Sequence, residues 1–304
     1  MSPVRRDSTA GRAYLDLQGI ARRTGRPTQE LLVNYVLERF LYRLSLSPFS
    51  DQFILKGGML LAVLGSRRPT ADIDLLARSV PNDIDAIGDL VRKVLAIAVD
   101  DGVTYEADRL ETRVIRATEV YSGVRLSVPA RIGRARAVLR LDVNVGDPVT
   151  PHPVDIEYPG LLEESFHLLG YPLATVLAEK VVTMIQRGVT TTRERDFADV
   201  LLLSGRHPID ALELLAALRA TADHRQAILR PLAGLLEGLG DDRQRSWTTF
   251  TTSVGLVGLV GLVPADYSEV VAAVAAYVDP LLGGSITTGR WDPETRRWAA
   301  EERP

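Results

Sequence analysis

Residues 139–145, Leu-Arg-Leu-Asp-Val-Asn-Val, alternate apolar and polar side chains without a break. Side chains along a β-strand point to opposite faces with period two. One face of this strand is therefore Leu139, Leu141, Val143 and Val145, and the other is Arg140, Asp142 and Asn144. A chain with such a strand must build a sheet with one buried face and one that is free to carry chemistry. Shorter runs of the same kind predict strands at 53–55, 71–76, 103–107, 111–118 and 123–129, with the alternating strand itself at 135–145.

Helical periodicity surrounds and follows these strands. Residues 28–46 place apolar side chains on a helical period, with Thr28 as the expected N-cap. Residues 59–64 read as a short buried helix, and 83–98 as an amphipathic helix capped by Asn82. The Pro-rich connection GDPVTPHPVDIEYPG at 146–160 marks the expected domain boundary. Beyond it, helices are predicted at 173–187, 194–204, 208–221, 225–239 and 266–282. The GLVGLVGLV run at 255–263 is too short for a solenoid and reads as a buried turn or strand. The polar end, 287–304, reads as a loosely attached tail. The expected fold is thus α+β, a mixed sheet flanked by helices in residues 1–150 and a mainly helical part in 151–304.

Composition narrows the function. The chain has 304 residues, 46% of them hydrophobic and 25% charged, as in ordinary soluble proteins. No apolar run reaches the roughly eighteen residues of a transmembrane helix, and no secretory signal is present, so a cytoplasmic location away from membranes is expected. Cysteine is absent, which excludes disulfides, thiolate metal sites and a Cys nucleophile. The four histidines lack metal-ligand spacing, and no G-x-S-x-G elbow points to a hydrolase. The net charge of −3 does not mark a nucleic-acid binder, but arginines cluster at Arg5, Arg6, Arg12, Arg22, Arg23 and Arg26. A second group is Arg131, Arg134, Arg136 and Arg140.

The chemistry concentrates in Leu55-Lys56-Gly57-Gly58 and Thr70-Ala71-Asp72-Ile73-Asp74. Asp72 and Asp74 share a strand face, and two carboxylates so close need a cation to stay ionised together. A hard cation such as Mg²⁺ accepts carboxylate oxygens and binds phosphates as well. A Gly-Gly turn between a strand and a helix brings backbone N–H groups close to an anion. Gly57 and Gly58 are therefore candidate contacts to a triphosphate, with Lys56 assisting from the strand end and Thr70 offering a hydroxyl. Asp142, central on the polar face of its strand, is the candidate third carboxylate of a two-metal site. Alone, a GG pair is mostly a turn and a DxD mostly solvated; their order along the chain carries the reading.

Two later segments complete a set, Ala178-Glu179-Lys180 and Arg195-Asp196-Phe197-Ala198-Asp199. Together the four motifs, over residues 50–205, resemble the AbiEii family of nucleotidyltransferase-like toxins within the DNA polymerase β-like superfamily. The resemblance implies a nucleoside triphosphate substrate, two Mg²⁺ ions, and Asp72 and Asp74 as metal ligands. Lys180 would contact the triphosphate, and Asp196 would be the last motif's acidic residue. A cognate antitoxin encoded nearby and a role in phage defence are also implied. Some relatives transfer nucleotides, commonly from CTP, to the 3′ end of tRNA and block translation. From the residues alone, Lys180 needs a partner or an exit to water, and the 187–199 stretch is otherwise a surface ion-pair ladder. Its functional version has Asp196 orienting Lys180, Asp199 in a structural role, and Arg187 and Arg193 on phosphates. Transfer to a protein or small molecule, and a binding module without turnover, are the competing functions.

Overall fold

Residues 5–65, 70–81, 83–115, 123–254 and 262–299 are described by a computed structural model, in which the chain forms two compact units. One comprises Met1–Gly146 and Val154–Gly170, the other Asp147–Pro153 and Tyr171–Pro304.

The first unit begins with two helices. Helix α1 (Thr9–Thr24) is capped by Ser8, whose hydroxyl accepts from the Gly11 N–H, and ends on left-handed Gly25. Helix α2 (Thr28–Leu46) has the predicted bounds but not the predicted cap. Thr28 is already helical; the chain turns at Pro27, and no side chain caps the helix. The helix is buried on nearly every side, as Leu31, Tyr35, Val36, Phe40 and Leu41 show. Its buried charges are paired, as burial demands. Arg39 Nε lies 2.9 Å and Arg43 Nη1 2.6 Å from Asp101 Oδ2, and the Tyr35 hydroxyl donates to the Asp101 carbonyl at 2.9 Å. Helix α3 (Gly57–Val63) is short and buried, and α4 (Ile84–Leu95) presents Ile87, Val91 and Val94 to the core. Asp83 caps α4 by accepting from the Ala86 N–H, so the carboxylate takes the place expected of Asn82, which lies outside the described residues.

Eight strands form one mixed sheet: β1 (Phe53–Lys56), β2 (Ile73–Ala77), β3 (Val103–Tyr105), β4 (Glu111–Ile115), β5 (Gly123–Ile132), β6 (Ala135–Val145), β7 (Val154–Tyr158) and β8 (Phe166–Gly170). Their order is β3-β5-β6-β2-β1-β8-β7, with β4 also pairing with β5. Strands β2 and β6 run parallel, as do β1 and β8; the other neighbours are antiparallel. The strand β7 lies inside the Pro-rich connection. Its prolines flank it rather than interrupt it, so Ile156 and Tyr158 can alternate into the core. In register, Leu55, Leu75, Val143 and Val124 form one fully buried row on the helix-covered face. Burying each such side chain contributes about 1.5–3 kcal/mol, which fixes the strands behind the polar face.

The second unit is helical: α5 (Leu173–Arg187), α6 (Glu194–Ser204), α7 (Ala211–His224), α8 (Leu232–Leu235), α9 (Leu239–Val254) and α10 (Tyr267–Leu282). Helices α5 and α6 have the predicted bounds. The predicted helix at 225–239 breaks up, because Pro231 starts a single turn that stops at Leu235, and left-handed Gly238 then redirects the chain into α9. The polar end is not loose over the described residues. Strands β9 (Ile209–Asp210), β10 (Arg290–Asp292) and β11 (Arg297–Ala299) form a small antiparallel sheet. The Trp291 indole N–H donates to the Ser204 carbonyl at 2.7 Å, and that of Trp298 to the Tyr277 carbonyl at 2.8 Å. Two tryptophans with both polar handles satisfied outweigh the polar composition around them. Most of the GLV run, residues 255–261, lies outside the described residues.

Candidate active site

At the end of β1 the chain enters α3 through Gly57, whose φ of +65° lies in the left-handed region that glycine tolerates. A Cβ at Gly57 would lie 1.8 Å from Asp74 Oδ2, and one at Gly58 would lie 2.7 Å from Thr70 Oγ1. The two motifs read separately from the sequence are thus in direct contact: the glycine turn is bare because the acidic motif lies against it. Thr70 Oγ1 donates towards Asp72, 3.1 Å from its Oδ1 and 3.1 Å from its carbonyl oxygen, which ties down the loop just before β2. Gly57→Ala is expected to displace Asp74 and to cost about 1–2 kcal/mol for the left-handed backbone alone. Thermal melting and nucleotide binding of the variant check this: binding lost with a modest fall in Tm is the expected result.

The sheet register assembles the rest. Lys56 lies directly opposite Asp74, Asp74 opposite Asp142, and Asp142 opposite Arg125. Residues opposite one another in a sheet share a face, so these four side chains form one row across β1, β2, β6 and β5. Lys56 is buried, and β1 has neighbours on both sides, so it does not lie along a sheet edge.

Asp142 is met by Arg125 through two parallel hydrogen bonds, 2.7 Å from Nε to Oδ1 and 2.6 Å from Nη2 to Oδ2. These bonds and the charge of Asp142, helped by Asp72 and Asp74, hold the Arg125 guanidinium protonated above its ordinary range. Arg125 is absent from the sequence candidates. Its signal was its place between Val124 and Leu126 on the polar face of β5, but only the register reveals its partner. Asp142 thus holds Arg125 directly, while Asp72 and Asp74 act on it only through space. Among the described residues, no group of three or more Asp, Glu or His is arranged as a metal-ligating set. The donor chemistry nevertheless fits a hard divalent ion: Asp74 and Asp142 lie side by side on one sheet face, Asp72 stands just before β2, and all three supply carboxylate oxygens.

The second unit brings together the later motifs. Lys180 Nζ lies 2.9 Å from Asp196 Oδ1 and 2.7 Å from Asp199 Oδ2, and Arg193 Nε is 3.6 Å from Asp196 Oδ2. Lys180 thus bridges α5 and α6, and both aspartates hold it. Burial pushes the Asp196 carboxyl up, but the charges of Lys180 and Arg193 outweigh it and hold the group below its ordinary 3.8. A depressed carboxylate pKa stabilises the fold above the unfolded value, and the gain is lost as pH falls through the folded one. Wild type should therefore exceed Asp196→Asn in stability at neutral pH, and the margin should shrink below pH 3.8 in acid-unfolding curves. Arg187 is exposed at the end of α5.

The arginine clusters are partly neutralised, Arg6 by Asp16, Arg26 by Glu30 and Arg131 by Glu106. A groove of about 640 Å³ beside α1 is lined by Arg6, Arg12 and Arg23 but also by Asp16, Asp100 and Glu163, so its charge is mixed.

Residues 39–259 match the family described as "Nucleotidyl transferase AbiEii toxin, Type IV TA system". The chain belongs to this family. The matched span contains every candidate residue from Lys56 to Asp199, so the AbiEii assignment rests on both units. It makes the protein a nucleotidyltransferase of the toxin class, with a nucleoside triphosphate as substrate and a cognate antitoxin as partner. No curated protein matches the sequence. Among solved structures, JHP933 from Helicobacter pylori is similar at 14% identity and a TM-score of 0.46, over 84% of this chain and 94% of that one. A second Helicobacter pylori structure, of a protein proposed to be a nucleotidyltransferase, is similar at 15% identity and 0.46, over 83% and 98%. No described helix of this AbiEii-family chain is long and apolar enough to cross a membrane.

Proposed function

We propose that this AbiEii-family chain transfers a nucleoside monophosphate from CTP or another nucleoside triphosphate to the 3′ end of tRNA, and thereby blocks translation in the cytoplasm. The acceptor hydroxyl attacks the α-phosphorus in line, the bond to the β-phosphate breaks, and pyrophosphate leaves. The observation that carries the reading is the contact between the Gly57–Gly58 turn and the Thr70–Asp74 segment. It sets backbone N–H groups suited to phosphate beside carboxylates suited to its counter-ion.

Asp72, Asp74 and Asp142 would hold Mg²⁺, two ions in the full arrangement, which would supply positive charge to the attacking and leaving oxygens. Gly57 and Gly58 bind the triphosphate through their backbone, with Lys56 and Thr70 contributing charge and a hydroxyl. Lys180 is assigned to the triphosphate as well. Asp196 and Asp199 accept hydrogen bonds from its ammonium and fix its direction. Arg187 and Arg193 are assigned to phosphates of the nucleotide or of the acceptor's backbone. In the cell the antitoxin encoded beside the toxin would restrain this activity, and release of the pair would serve phage defence.

The net charge of −3 and the mixed groove beside α1 favour a second reading, in which the acceptor is a protein or a small molecule. Incubation with α-labelled triphosphates, total cell RNA and cell protein separates the two. Label in the tRNA band is the expected result, and label only in protein or in small products would replace tRNA as acceptor. Growth inhibition that survives both Asp72→Ala and Lys180→Ala would instead make the chain a binding module without turnover.

A further inference from the structure

The geometry points to Arg125 as a gate on the third carboxylate: it holds Asp142 until a divalent cation displaces it, so that guanidinium and cation compete for the same oxygens. The inference rests on the assignment of Asp72, Asp74 and Asp142 to metal binding.

Both Asp142 oxygens are engaged by the planar fork of Arg125, at 2.7 and 2.6 Å. A dication on those oxygens would meet the guanidinium at hydrogen-bonding range, and like charges so close repel strongly. Lone pairs remain on those oxygens, but the repulsion favours the arrangement in which one of the two gives way. Asp142 cannot, because it sits mid-strand in β6, paired on one side with β2 and on the other with β5, with its side chain only 14% exposed. Arg125 can, because its side chain is 51% exposed and its long stem reaches solvent.

The neighbouring charges set the resting position. On its far side Arg125 lies directly opposite Arg113 of β4, a like charge that an exposed ion pair with Glu111 at 3.8 Å offsets only in part, and this disfavours swinging that way. On its near side stand Asp142 and, through space, Asp72 and Asp74. Without a cation these push and pull in the same direction, and Arg125 closes on Asp142. Once a cation neutralises the carboxylates, the pull is removed and the guanidinium is freed.

The test is a Mn²⁺ titration without nucleotide, reading free Mn²⁺ by electron paramagnetic resonance. It compares wild type, Arg125→Met, Arg125→Lys and the double variant Arg125→Met with Asp142→Asn, each first shown by melting to be folded. Arg125→Met is expected to bind Mn²⁺ about tenfold more tightly, the scale of one partly exposed charge-assisted pair. Arg125→Lys, which keeps the charge but loses the fork, should gain less, and the double variant should lose the gain. Unchanged or weaker binding in Arg125→Met, where wild type does bind, overturns the gate and leaves the metal assignment standing. A gain that persists in the double variant overturns it too, since Asp142 is then not the contested ligand. If neither wild type nor Arg125→Met takes up Mn²⁺, the metal assignment and the gate fall together.

Discussion

Asp74→Asn is expected to reduce nucleotidyl transfer by on the order of 10³-fold or more while leaving the fold intact, a loss typical of removing one charged group from the stabilised transition state. The side chain is half-buried on the polar face of β2, behind which Ile73 and Leu75 anchor the strand in the core. Asparagine has the same shape, so the packing against Gly57 survives and only the charge is lost. That charge stands opposite Asp142 on one side and the buried Lys56 on the other, so its removal relieves a repulsion but also weakens the surroundings of a buried cation, and a small fall in Tm is expected. The measurement is turnover beside a thermal melt. A variant that loses its fold along with its activity would show Asp74 to be structural.

Asp101→Ala is expected to have the largest effect on stability, a loss of about 3–5 kcal/mol, because it removes the carboxylate that two buried guanidinium groups share. Among the described residues it leaves only Glu38 nearby, 4.0 Å from Arg39. Arg39 and Arg43 are 2% and 3% exposed, and Asp101 receives hydrogen bonds from both as well as from the Val103 N–H. The aspartate therefore clamps helix α2 to the segment that leads into β3. Domains of this size unfold with about 5–15 kcal/mol, so a loss on this scale takes the variant to the edge of folding. Denaturant unfolding followed by circular dichroism reads it directly. A shift below about 1 kcal/mol would mean that water reaches these arginines and that they are not truly buried.

These two sites differ in how far the sequence reveals them. Strand β6 is legible because seven residues alternate without error, and helices α2, α5 and α6 because their periods run for several turns. The contact between the glycine turn and the DxD segment follows from adjacent strands joined through a short helix, and the residue types alone point to it. Cross-strand partners do not follow so readily. That Arg125 meets Asp142, or that Lys56 stands opposite Asp74, depends on a register set by packing over the whole sheet. Asp101 gave no signal either, since one acidic residue in an Asp-Asp-Gly turn looks solvated until the arginines of α2 are placed beside it. The hairpin of β7 and β8 was hidden by prolines at its ends. The packed end of the chain was hidden by the charged residues around Trp291 and Trp298.

Nucleotidyl transfer itself is tested most directly by following the two ends of the triphosphate separately. Purified protein is supplied with each nucleoside triphosphate labelled at the α- or the γ-phosphate, with divalent cation and total cell RNA. Attack at the α-phosphorus requires α-label to appear on the acceptor and γ-label to leave as pyrophosphate, and both signals should vanish in Asp74→Asn. Transfer of γ-label to the acceptor, or release of label as inorganic phosphate with none retained, would contradict the account.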